Sequence, residues 1–436
     1  MNASMRVSIL VMAILGGARE ALAQRCPTGA PVAFVGADVL TMNDATLLRG
    51  QTVLVRDGRI AHVDAPELPD DACRIDARGK VLLPGLADVH VHTSERELPL
   101  FLANGVTLVR EMNGSPAHVE LRERIERGDV LGPHLVVASP LLTGAPLRYR
   151  HRLIQSAADA YAAAHEAKDA GYEFLKIYDD LTADAYAAFV DAGRTLGLRL
   201  DGHVPEAVGL EGVLAAGQSI QHMDKIAFAL SGHSADSAKL PEARRLFAGK
   251  RIWVTPTLAS LLALDQAGTP DYGARLERPE MAYMDAGSLA WWRSLVRDGA
   301  RARARSPFYR FQTELLGVLR ESGARFLLGT DAANPLMVAG FSVHEELETL
   351  VRDGGFSPYE ALLAATRNAA EFLGDDTGGR VQRGARADLV LVEANPLTDL
   401  NTLRAPRGVM VGGRWLDRTE LDAALAALRL PDRSGG

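Results

Sequence analysis

The sequence predicts an α/β protein, a (β/α)8 barrel with a small β-sandwich domain built from both chain ends. Two observations predict it. Between residues 86 and 331, eight short apolar runs of strand character alternate with helix-patterned segments, as in a parallel sheet with helical crossovers. Alternating, β-rich stretches also occur at both ends, around a middle of different character. An open doubly wound sheet is the runner-up, but no Gly-rich phosphate loop favours it.

The elements follow in chain order. Residues 1–23 read as a signal peptide: Arg6, an apolar run from Val7 to Ala18, and the small-residue site Ala21-Leu22-Ala23. The run is too short to span a membrane. An exported chain, periplasmic or secreted, beginning at Gln24 is therefore expected, and its two cysteines, Cys26 and Cys73, are expected to pair in an oxidising compartment. Residues 24–83 form the first part of the sandwich, where "QTVLVRDGRIAHVDA" is a hairpin turning at Asp57-Gly58. The barrel takes residues 84–375, with strands at 86–92, 106–112, 134–139, 173–178, 198–203, 219–223, 251–257 and 325–331. Helices are expected in "TADAYAAFVDAGRTLG" and "PEARRLFAGK", and "SPYEALLAAT" carries the capping box Ser357–Glu360. The long gap 259–324 reads as extra helices near the barrel mouth, its "RARAR" run as a solvated face. Residues 376–420 return to the sandwich through a Gly412-Gly413 turn, and 421–436 form a tail.

Composition excludes some partners. The chain has 436 residues, 47% apolar, with net charge -7 and no long basic run, so neither nucleic acid nor an anionic membrane surface is expected as partner. The expected partners are a small-molecule substrate and further copies of the chain in a homo-oligomer.

Chemistry-bearing residues fall at the strand ends. His90 and His92 lie two apart on one strand and so share a face, a spacing at which two imidazoles can hold one metal ion. Lys176, His203, His222 and Asp331 end the fourth, fifth, sixth and eighth strands, and the C-terminal strand ends are where active sites of such barrels sit. Lys176 is informative because only six of the 48 Lys plus Arg are lysine. An amine in an apolar strand can lose its proton, which a guanidinium cannot. A neutral amine can react with carbon dioxide to a carbamate whose two oxygens can bridge two cations.

"PGLADVHVH", "EFLKIY", "LDGHV", "SIQHMD", "LLGTDA" and "GRVQRGARADLVLV" together resemble the metal-dependent amidohydrolase superfamily, across nearly the whole chain. "KIY" and "GTDA" look most like its imidazolonepropionase-like and prolidase-like dipeptidase branch. Where that branch often has Gly-Gly-His-Gly, this chain reads "LLTGAPLRYRHR". The resemblance implies two Zn2+ or other divalent ions. His90, His92 and Asp331 would bind one, His203 and His222 the other, and carboxylated Lys176 would bridge them together with a hydroxide. Asp331 would be general base and then acid. The implied reaction is hydrolysis of an amide or peptide-type C–N bond in a dipeptide or N-acyl amino acid. The alternatives are a lactone, carbamate or phosphoester hydrolase using the same site, a mononuclear deaminase, and a non-catalytic binding barrel.

Substrate contacts are expected from Tyr178, which shares Lys176's face and could support a developing oxyanion, and from Arg110 by the same face logic. Arg148 and Arg150, with Arg152 in the same loop, could pair with a carboxylate, although a solubilising loop is the favoured reading. His344 could lie beside the site or be merely helical. His62, His165 and His233 read as surface or packing residues, and His134 as lying on the opposite, structural face.

Overall fold

The computed structural model describes residues 26–297 and 306–430, so the signal peptide and the "RARAR" run lie outside the described residues. Strands from the two chain ends share one eight-stranded sheet. Val32–Leu40, Leu47–Arg56, Arg59–His62, Cys73–Asp76 and Val81–Pro84 come from the first end, and Leu389–Val392, Gly408–Val411 and Arg414–Asp417 from the second. The seam is the antiparallel pairing of Val81–Pro84 with Leu389–Val392. Both Asp57-Gly58 and Gly412-Gly413 have positive φ at each residue, which is what a two-residue hairpin of the right twist requires. Cys26 and Cys73 form a disulfide with Cα atoms 5.6 Å apart.

The middle of the chain is parallel. Leu86–Val91, Val106–Glu111 and His134–Val137 form one sheet. Phe174–Ile177, Arg199–Gly202, Ser219–Gln221, Trp253–Thr255 and Arg325–Phe326 form most of a second. Backbone contacts join the two on both flanks: Ala138 bridges Phe174, Val89 N donates to Leu328 O at 2.9 Å, and Asp331 N donates to His90 O at 2.8 Å. All eight expected strands are present, most of them shorter than their apolar runs. The eighth ends at Phe326 rather than 331 because the chain then twists tightly around His90. A Cβ on Gly329 would sit 2.7 Å from that of His90, and Asp331 takes φ 60°. Two further short strands, Leu141–Thr143 and His151–Leu153, lie in the stretch that read only as a loop.

Helices fill the crossovers. Ala183–Leu196 starts on the Thr182 hydroxyl, which accepts from Ala185 N, and stops at left-handed Gly197. Leu240–Phe247 forms as expected, and Ser357 and Glu360 make their reciprocal capping box. The 259–324 region carries the helices Leu258–Asp265, Pro270–Arg275, Ala286–Arg297 and Pro307–Glu321. Trp292 and Tyr272 are buried in a small core of their own there. No helix among the described residues is long and apolar enough to cross a membrane.

Candidate metal centre

His90, His92, Lys176, His203, His222 and Asp331 all line one cavity of about 630 Å³ at the C-terminal ends of the parallel strands. Ring centroids run 5.5 Å from His90 to His92, 4.6 Å from His90 to His222 and 5.2 Å from His222 to His203. Ligand atoms of His90, His222 and Asp331 lie within 4.8 Å of one another. The Asp331 carboxylate also reaches His90 Nε2 at 3.4 Å and His92 Nε2 at 3.2 Å.

Each imidazole is held through Nδ1. His90 Nδ1 donates to Gln221 Oε1 at 2.7 Å, and His203 Nδ1 to Asp179 Oδ2 at 3.1 Å. His92 Nδ1 donates to Glu111 Oε1 at 3.4 Å, and His222 Nδ1 lies 2.8 Å from the Thr257 hydroxyl. With Nδ1 engaged, Nε2 is the nitrogen left to bind a metal on all four rings. Backbone strain helps to aim them: His222 takes φ 68° and Thr257 φ 50°, conformations costly for residues with a Cβ. Asp88 ties the segment after the eighth strand to the strand of His90, accepting from Thr330 N at 3.0 Å and Thr330 Oγ1 at 2.6 Å.

The electrostatics favour neutral ligands. Burial lowers His90 and His222 well below the usual imidazole value and brings His203 down to about 4 against the pull of Asp179. His92, with 39% of its side chain exposed, is the exception. Its partial burial is outweighed by the Asp331 and Glu111 carboxylates, which lift it to about 9. Lys176 is 1% exposed, and burial brings its amine down to about 8. Its Nζ has no hydrogen-bond partner. A buried amine without a partner is costly, so this atom fits a group that something else completes. Four Nε2 atoms, two of them already approached by Asp331, and the Asp331 carboxylate are a donor set suited to a divalent ion such as zinc.

Several expected contacts are placed elsewhere. Arg110 does not reach the cavity: it is fully buried, donates through Nε to Val89 O at 2.8 Å and pairs with Asp201, its guanidinium 4.9 Å from the ring centroids of both Phe174 and Phe372. The residue of that strand that turns to the site is its neighbour Glu111. His344 is buried against Asn104 Oδ1 at 3.3 Å, away from the cavity. Arg148 is spent on the ring and hydroxyl of Tyr149. Arg150 does line the cavity but donates to the carbonyls of Gly114 and Asn113. Tyr178 lines it too, its ring centroid 4.1 Å from that of His203. Burial raises its phenol above the ordinary value.

The sequence reading missed Glu111, Asp179, Gln221 and Thr257. Glu111, Asp179 and Gln221 each adjoin a residue already singled out, so the motif neighbours were the available signal. The chain at 258–297 adds Ser260, Leu261, Leu264 and Trp291 to the cavity wall.

Residues 81–416 match the Amidohydrolase family, and the chain belongs to it. Among solved structures it resembles a bottromycin amidohydrolase, with TM-score 0.75, 26% identity and 91% of this chain and 90% of that one covered. A putative prolidase from Bifidobacterium longum gives TM-score 0.71 and 26% identity over 92% and 100%. Among curated proteins it is 28% identical to an adenine deaminase of Deinococcus deserti over 86% of this chain, and 35% identical to an ochratoxinase of Aspergillus niger over 20%. The matches span 58% of the deaminase and 18% of the ochratoxinase, less than two thirds of either.

Proposed function

We propose that the protein is a binuclear zinc hydrolase that cleaves an amide or peptide-type C–N bond in a small molecule, a dipeptide or an N-acyl amino acid. The observation that carries this reading is the buried, partnerless Nζ of Lys176 amid four imidazoles that are each supported through Nδ1. His90, His92 and Asp331 would hold one ion, His203 and His222 the other, with Lys176 as a carbamate between them. Two zinc ions bound there would supply Lewis acidity and lower the pKa of water to near neutral. Asp331, which approaches His90 and His92, would take a proton from water and return it to the leaving nitrogen. Tyr178 would orient the scissile carbonyl, and the aromatic and aliphatic rim would exclude water. The scaffold is read as a (β/α)8 barrel carrying a β-sandwich folded from both ends, in an exported chain that assembles as a homo-oligomer. Zinc-loaded protein should bind two ions per chain and hydrolyse members of a panel of N-acyl amino acids and dipeptides. A panel in which only lactones, carbamates or phosphoesters turn over would reassign the bond. One bound ion, with ammonia released from an aminopurine, would favour the second reading, a mononuclear deaminase. That reading draws on the compact His90–His222–Asp331 trio and the adenine deaminase relative, and leaves Lys176 without a task.

A further inference from the structure

The four imidazole supports are not alike. Gln221 and Thr257, behind His90 and His222, are neutral; Glu111 and Asp179, behind His92 and His203, are carboxylates. In the assignment above, each ion would therefore be held by one imidazole with a carboxylate behind it and one with a neutral group.

The pattern has a common structural origin. Glu111 ends the strand beside the one leading to His92, in register with Val91. Asp179 follows the strand beside the one leading to His203, where Ile177 is in register with Gly202. In both cases a neighbouring strand delivers the carboxylate to the outer nitrogen of the ring. Both carboxylates are themselves anchored. Glu111 accepts from Thr93 N at 2.7 Å and Asn113 N at 2.8 Å, and Asp179 from Lys225 Nζ at 3.1 Å.

We propose that Asp179 and Glu111 are positioning residues, each strengthening one imidazole at one of the two metal positions, so that the two positions can be weakened separately. A carboxylate accepting from Nδ1–H leaves more electron density on Nε2 than an amide or hydroxyl does, and it fixes the ring plane. His92, the most exposed of the four rings, has least packing to hold it and depends most on such an anchor. This inference rests on the binuclear reading.

The test is a zinc titration of the metal-stripped full chain in competition with a chromophoric chelator. The wild type should bind in two resolved steps. Asp179→Asn should weaken one step by about 10- to 100-fold, the usual effect of removing such a partner, and leave the other unchanged. Glu111→Gln should weaken the opposite step, and the double variant both. Asp179 is partly exposed, so its variant should melt like the wild type when metal-free, a control that separates ligand tuning from folding. If the buried Glu111 variant fails to fold, the Asp179 variant alone decides. A wild-type chain taking one ion overturns the binuclear reading itself. Two ions with both steps weakened equally by Asp179→Asn, or neither weakened, overturns this inference and leaves that reading standing.

Discussion

At the scale of single residues, Lys176 separates a bridging carbamate from an ordinary buried amine. Lys176→Ala should lose one ion and reduce turnover by more than the roughly 10- to 100-fold expected for a supporting residue. Small carboxylic acids should partly restore metal binding by standing in for the carbamate oxygens. Lys176→Arg should not rescue, because guanidinium stays protonated. An active Lys176→Arg protein with full metal content would end the carbamate assignment. Arg110 makes the opposite kind of prediction. Its charge and that of Asp201 are fully buried, so Arg110→Met should destabilise the fold by about 3–5 kcal/mol in urea melts by stranding a carboxylate. Arg110→Met with Asp201→Asn should recover part of that, since no charge then remains buried. A variant of normal stability with a raised KM would show that Arg110 touches substrate after all. The contrast shows what was legible at this scale. Strand-end histidines, lysine and aspartate could be placed from spacing alone. Alternation could not tell Arg110 from Glu111, because irregular register between the first two parallel strands breaks the simple parity.

At the scale of elements, the helix Ser342–Arg352 buries two titratable groups of opposite tendency. Burial lowers His344 from 6.5 to about 3. The unfolded chain thus takes up a proton that the folded chain refuses, and stability falls as the pH drops from 6.5 towards 3. Burial raises Glu346 from 4.5 to about 8, although the amides of Leu258 and Ala259 oppose it. Here the folded state keeps a proton that the unfolded one releases, so stability falls as the pH rises from 4.5 through 8. In denaturant melts of metal-free protein, His344→Leu should flatten the acid limb and Glu346→Gln the alkaline one. Unchanged limbs would mean that both groups titrate normally. Strands and capped helices were legible because their signals are local: alternation, Asp-Gly, Ser-Pro-x-Glu. The strands at Leu141–Thr143 and His151–Leu153 were not, since three residues carry too little periodicity to register.

At the scale of the molecule, the two-ended sheet and the parallel middle were legible because a change of periodicity marks each boundary. What sequence could not supply was the long-range pairing that places Thr257, Glu346 and Asp179. The disulfide offers a measurement at this scale. Cys26 and Cys73 are 47 residues apart, and closing a loop of that size constrains the unfolded chain by about 4 kcal/mol on a chain-entropy account. Reduction should lower the urea midpoint of the terminal sheet, and an unchanged midpoint would show that the bond adds nothing. The seam between Val81–Pro84 and Leu389–Val392 bears on how the chain matures. Val81–Pro84 runs through Gly85 into the strand that leads to His90 and His92, yet its partner lies some 300 residues downstream. A chain emerging from a ribosome must therefore hold that edge open until Leu389–Val392 has been made, exposed to the strand-on-strand sticking that bare edges invite. Fragments ending before Leu389 should aggregate or be degraded rather than accumulate partly folded, so that delivery of Leu389–Val392 acts as the quality check on the strand that carries His90.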